Sequence, residues 1–123
     1  MIGLKFFLTA LILFILSCNR STDHVICTTE FAMLNITVID ESGLGVDSVT
    51  ILVYKLSDQS IYDVSEYNEP GGLLTQSGEY TIFHDDYLQE VQRKLEVIVV
   101  QGERDTLKFM QEFVVTGDDC HVF

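Results

Sequence analysis

Basic residues are scarce in this chain: 7 Lys and Arg stand against 19 Asp and Glu, for a formal net charge of −12. Phosphate backbones are gripped by clustered Lys and Arg, so no nucleic-acid partner is expected. The same deficit argues against electrostatic docking on an anionic membrane. Proline occurs once, at Pro70 in Glu69-Pro70-Gly71-Gly72, which is the clearest loop signal. Internal repeats and low-complexity stretches are missing, and helical periodicity is nearly so. The only histidines are His24, His84 and His121, and nothing in the sequence places them in a Ser-His-Asp arrangement. A lone His84 at a strand end reads as a surface or turn residue. No catalytic residue, cofactor site or metal site is expected, and the chain does not read as an enzyme.

The N-terminal segment carries an address. Lys5 precedes an apolar run from Phe6 to Leu16, the pattern of a secretory signal. The run is shorter than the ~20 residues a helix needs to cross the hydrocarbon core. Ile15-Leu16-Ser17-Cys18 resembles the lipobox of bacterial lipoprotein signals. That resemblance implies cleavage before Cys18 and a diacylglyceryl group on its sulfur, giving membrane attachment through a lipid anchor. Each buried methylene of such chains contributes ~0.8 kcal/mol, so two or three chains hold firmly. The expected organisation is a signal peptide at 1–17, a polar linker at 18–29 and a β-sandwich domain at 30–123. The expected location is the bacterial cell envelope, outside the cytoplasm.

Three cysteines are present, Cys18, Cys27 and Cys120. With Cys18 acylated, an even pair remains in an oxidising compartment. A Cys27–Cys120 disulfide would close a loop spanning 93 positions. The competing reading is a Cys/His metal site with His24 or His121, but close-spaced ligand pairs are missing.

The body of the chain reads as strands. Leu34, Ile36 and Val38 alternate with Asn35, Thr37 and Ile39. Asp40-Glu41-Ser42-Gly43 is a turn. Val49 to Tyr54 is apolar on both faces and predicts a central strand. Ser60 to Val64 predicts a short edge strand, and Gly78 to His84 another strand. Asp85 to Arg93 places Tyr87, Leu88 and Val91 at helical spacing, with Asp85 or Asp86 as the cap of one or two turns. Leu95 to Val100 and Leu107 to Val115 are strong strands, with a hairpin connection over Gly102-Glu103-Arg104-Asp105. The expected class is all-β: one sandwich of about seven strands with one short helical turn.

Residues Ile36 to Ile51 resemble the opening hairpin of carboxypeptidase regulatory-like domains, which are transthyretin-like (prealbumin-like, Ig-like) sandwiches. The shared elements are a strand, the Asp40-x-x-Gly43 turn and a second strand led by the small residue Ser48. More widely, Cys27-Thr28-Thr29-Glu30-Phe31, Gly78-Glu79-Tyr80, Asp85-Asp86-Tyr87 and Asp119-Cys120-His121-Val122 are similar to small Bacteroidota lipoproteins. That resemblance supports the Cys27–Cys120 bridge and the compartment, and it implies no activity. Transthyretin-like hydroxyisourate hydrolases end in Tyr-Arg-Gly-Ser, whereas this chain ends Cys120-His121-Val122-Phe123.

The functional expectation is a non-catalytic binding or assembly module with an envelope protein or glycan as partner. Tyr62, Tyr67 and Tyr80 are candidate aromatic contacts for a glycan, with Tyr80 better suited to the core. The alternative is a calcium- or metal-binding envelope domain built on Asp40-Glu41, Asp85-Asp86 or Asp118-Asp119. No pair matches the Asp-x-Asn-x-Asp-Gly calcium loop. A small hydrolase of transthyretin-like fold is the remaining alternative.

Overall fold

The computed structural model describes residues 26–69 and 77–123. The signal segment, Cys18, His24 and the Pro70-Gly71-Gly72 loop lie outside the described residues.

The chain is mostly β. Six strands occur among the described residues: β1 (Met33–Thr37), β2 (Thr50–Lys55), β3 (Ile61–Tyr62), β4 (Glu79–His84), β5 (Glu96–Arg104) and β6 (Leu107–Val115). Among the described residues, helix is confined to α1 (Ser65–Asn68), a 3₁₀ turn (Asp85–Tyr87) and α2 (Leu88–Val91). The one or two turns expected over Asp85 to Arg93 are thus present. Two antiparallel sheets form, β1-β4 and β3-β2-β5-β6. β2 lies between two neighbours and β3 lies at an edge, as their apolar pattern and length predict.

Alternation decides which side chains enter the core. Val53, Ile98, Val100 and Val115 of the four-stranded sheet meet Ile82 and Phe83 of β4, together with Tyr62, Val64, Val91 and Val122. The core therefore draws on both sheets. Outward-facing Leu52, Ile61, Met110 and Val114 remain exposed, so β2 is apolar on both faces but covered on only one. A smaller cluster joins Val38, Val49 and Tyr80. There the Tyr80 hydroxyl accepts from the Val49 N–H at 3.0 Å and donates to the Val46 carbonyl at 2.6 Å. Tyr80 is a core residue, as its strand position suggests.

Both adjacent residues Ile82 and Phe83 are buried, because material covers both faces of β4. Asn68, closing α1, donates to the Thr81 carbonyl at 2.9 Å and accepts from the Thr81 N–H at 2.8 Å. Its side-chain amide bonds the strand as a neighbouring strand would, which shields an edge.

The last hairpin differs from expectation. β5 continues through Arg104, and Gly102 and Glu103 pair with Phe109 and Lys108. The turn is Asp105-Thr106, with Asp105 at φ 50°. Gly102 serves packing instead: a Cβ there would lie 2.1 Å from Cε1 of Phe109, whose ring covers the bare backbone.

Candidate functional site

The end of β4 gathers a cleft from separate parts of the chain. His84 is the last strand residue and is only 3 % exposed, which corrects its reading as a surface or turn side chain. Aromatic rings surround it. Its centroid is 4.7 Å from that of Tyr67, 4.7 Å from that of Tyr87 and 5.8 Å from that of Phe31. Tyr67 comes from α1, Tyr87 from the 3₁₀ turn, and Phe31 from the lead into β1.

Hydrogen bonds fix this arrangement. The Asp63 N–H donates to the Tyr87 hydroxyl at 2.6 Å, and that hydroxyl lies 3.1 Å from the Asp63 carbonyl, to which it donates. His84 Nε2 is 3.2 Å from the same carbonyl. A carbonyl only accepts, so Nε2 carries the proton. The Asp63 carboxylate accepts from the Ser65 hydroxyl at 2.6 Å and the Ser65 N–H at 3.0 Å, just ahead of α1. Those two bonds hold the Asp63 carboxyl below the usual carboxylate range.

The remaining imidazole nitrogen, Nδ1, is buried without a hydrogen-bond partner. Asp86 Oδ2 approaches it to 3.5 Å, outside hydrogen-bonding geometry. The cavity here measures about 220 Å³ and is lined by Asp63, Glu66, Tyr67, His84, Asp86 and Tyr87. Its potential is negative. Partial burial, then the Glu66 and Asp86 carboxylates, push the Tyr67 phenol above its ordinary value. Burial, then the neighbouring acids Asp63, Glu90 and Asp86, do the same to Tyr87, against a hydrogen bond to Asp63 that pulls it down. A larger depression of about 520 Å³ lies on the four-stranded sheet beside Leu52, Gln101 and Met110. Among the described residues, none that lines it carries a buried, unpaired polar side-chain atom.

The next residue along faces a different neighbourhood. Asp85 Oδ2 lies 2.7 Å from His121 Nδ1, and His121 Nε2 lies 2.9 Å from the Thr28 hydroxyl. Hydroxyl, imidazole and carboxylate are thus in line, the order of a nucleophile, base and orienting acid. Asp85 also accepts from the Ala32 N–H at 2.8 Å and the Val122 N–H at 2.9 Å. Neither the His84 cleft nor the depression on the four-stranded sheet is lined by these three residues. Their hydrogen bonds join the lead into β1 to the C-terminal segment. Asp85 therefore does not cap the helical turn after it.

Cys27 and Cys120 lie at disulfide distance, with Sγ atoms 2.08 Å and Cα atoms 5.2 Å apart. His121 is bound to Asp85 and Thr28 rather than grouped with cysteine. Tyr62 is 3 % exposed and packs edge-on against Phe83, which removes it from the glycan-facing candidates. Tyr67 alone of the three tyrosines singled out lines the cleft.

One member or more of each acidic pair expected for calcium is engaged internally, Asp85 as described above. Asp40 accepts from Ser42 and Leu44, Asp118 from the Cys120 and His121 N–H groups, and Asp119 from Arg93 at 2.6–2.9 Å. Among the described residues, no three His, Cys, Asp or Glu side chains are placed to hold a metal. No described helix is long and apolar enough to cross a membrane.

Sequence reasoning missed Phe31, Asp63, Glu66, Asp86 and Tyr87 as a group. The available signal was the His84-Asp85-Asp86-Tyr87 run at a strand end, where alternation stops and side chains fan out. No family model, curated protein or solved structure matches this chain.

Proposed function

We propose that the protein is an exported, lipid-anchored module of the bacterial cell envelope. In this reading it is a transthyretin-like β-sandwich that binds an envelope partner without chemistry, using the cleft around His84. The observation that carries the binding role is a buried imidazole with one open hydrogen-bonding position, set in a cleft lined by Asp63, Glu66, Asp86, Tyr67 and Tyr87. Aromatic walls with a few convergent polar groups are the usual make-up of a recognition site. The address rests on the Phe6 to Leu16 run and on Ile15-Leu16-Ser17-Cys18. Support for a sandwich comes from the shared core of the two sheets.

Two measurements test this reading. Intact mass on a native-like membrane fraction is expected to begin at Cys18 plus acyl chains. Cys27 and Cys120 should alkylate only after reduction. A soluble product with a free Cys18 thiol would overturn the anchor. A photo-crosslinking residue at Glu66, on the cleft wall, should capture a defined envelope partner. Equal capture from Glu112, on the exposed part of β6, would overturn the cleft as the contact.

A further inference from the structure

We infer that the His84 cleft takes a primary ammonium group, held between the imidazole Nδ1 and the Asp86 carboxylate. This deepens the binding role proposed for the cleft and rests on it.

The tautomer of His84 sets the requirement. The Asp63 carbonyl, 3.2 Å from Nε2, makes that nitrogen the donor. In the neutral ring Nδ1 is then a lone-pair acceptor. It is buried, and no described residue donates to it. The nearest polar group is Asp86 Oδ2 at 3.5 Å, another acceptor. Two acceptors facing each other repel, and a buried polar atom without a partner costs about 1–3 kcal/mol. A donor of positive charge answers both faults at once.

The surroundings narrow the ligand. Glu66 and Asp63 add negative charge to the wall, and the Tyr67 and Tyr87 rings that line it suit contact with a cation. A quaternary ammonium suits such rings but has no N–H for Nδ1. A metal ion suits the charge, but three ligating groups are not placed around one point among the described residues. A cavity of about 220 Å³ admits a single aliphatic stem rather than a large ring system. Access runs past Asp86, whose side chain is 67 % exposed. The ammonium belongs either to a lysine side chain of a peptide partner or to a free amine. The two sources share the head group and differ in the group at the far end of the stem.

The test uses ¹⁵N-labelled protein, observed at the His84 ring nitrogens, with n-butylammonium as the probe. The expected result is a shift of the Nδ1 resonance, an unchanged protonated Nε2 and saturation in the millimolar range. Tetramethylammonium should leave Nδ1 unmoved. Asp86→Asn, at an exposed side chain outside the core, should weaken butylammonium about tenfold, as expected for loss of one charge-assisted hydrogen bond. Blocked lysine binding more tightly than cadaverine assigns a peptide source; the reverse order assigns a free amine, and either supports the inference. A doubly protonated His84 ring in the ligand-free protein at pH 7.5 would overturn it. So would equal binding of tetramethylammonium, or an unchanged affinity in Asp86→Asn. These outcomes are independent of the mass and crosslinking results, so loss of the ammonium assignment leaves the anchored binding module standing, and loss of the module is seen separately.

Discussion

At the scale of single residues, the tightest constraint is the crossing of Gly45 and Gly78. A Cβ on Gly78 would meet Gly45 Cα and the Val38 carbonyl oxygen, each at 2.6 Å, and φ there is +82°. A Cβ on Gly45 would meet the Ser77 carbonyl oxygen at 2.2 Å. All these neighbours are backbone and cannot swing away. Gly78→Ala combines a strained φ with a backbone clash, and we expect a loss of about 3 kcal/mol or more in urea unfolding. Gly43→Ala is the comparison: its φ is +83°, but nothing lies within 4 Å of the added carbon. It should cost only about 1 kcal/mol, the backbone part alone. Equal losses at the two sites would show that the crossing does not constrain the fold.

At the scale of elements, Asp85 links two parts of the chain through one carboxylate: the lead at Ala32 and the C-terminal segment at the His121 imidazole and the Val122 N–H. Burial pulls its pKa up, but the hydrogen bonds from Ala32, His121 and Val122 outweigh that and leave it below the ordinary value. A carboxyl depressed in the folded state binds its proton more tightly when unfolded. Its contribution is therefore complete above the unfolded pKa of ~3.9 and is lost as pH falls through the lower folded value. Asp85→Asn should destabilise the protein by about 2 kcal/mol at pH 7 and flatten the acid limb of its stability profile below pH ~4. A profile parallel to the parent's would remove Asp85 from that role.

The same elements show what the sequence discloses. β1, β2, β4, β5 and β6 announce themselves because period-two alternation is local, written in consecutive side chains. The cleft is not local. Phe31, Asp63, Tyr67 and His84 come from four segments, and only the pairing of β1 with β4 and the placement of α1 bring them together. Asp85 misleads for the same reason: as an isolated residue before a helical turn it looks like a cap, and only the C-terminal segment reveals its actual donors. Gly102 reads as a turn signal until Phe109 is seen across the hairpin.

At the scale of the whole molecule, Cys27–Cys120 encloses nearly the entire domain, a separation of 93 positions. In the chain-entropy picture a loop of that size is worth about 4–5 kcal/mol, with strain and residual unfolded structure reducing it in practice. Thermal unfolding with and without reductant should differ by at least about 10 °C for a domain of this size. Coincident transitions would show that the Arg93–Asp119 pair and the reciprocal Thr116–Phe123 backbone bonds hold the C-terminal segment unaided. The bridge also has a mechanical meaning. Tension applied between the residues before Cys27 and those after Cys120 runs through the bond, so the enclosed backbone is bypassed while the bond is intact. Without that bond the same stretch would lengthen to roughly 300 Å at full extension. With it, a pull between the residues before Cys27 and those after Cys120 bypasses the strands, whereas a partner pulling at the cleft loads them from inside the loop.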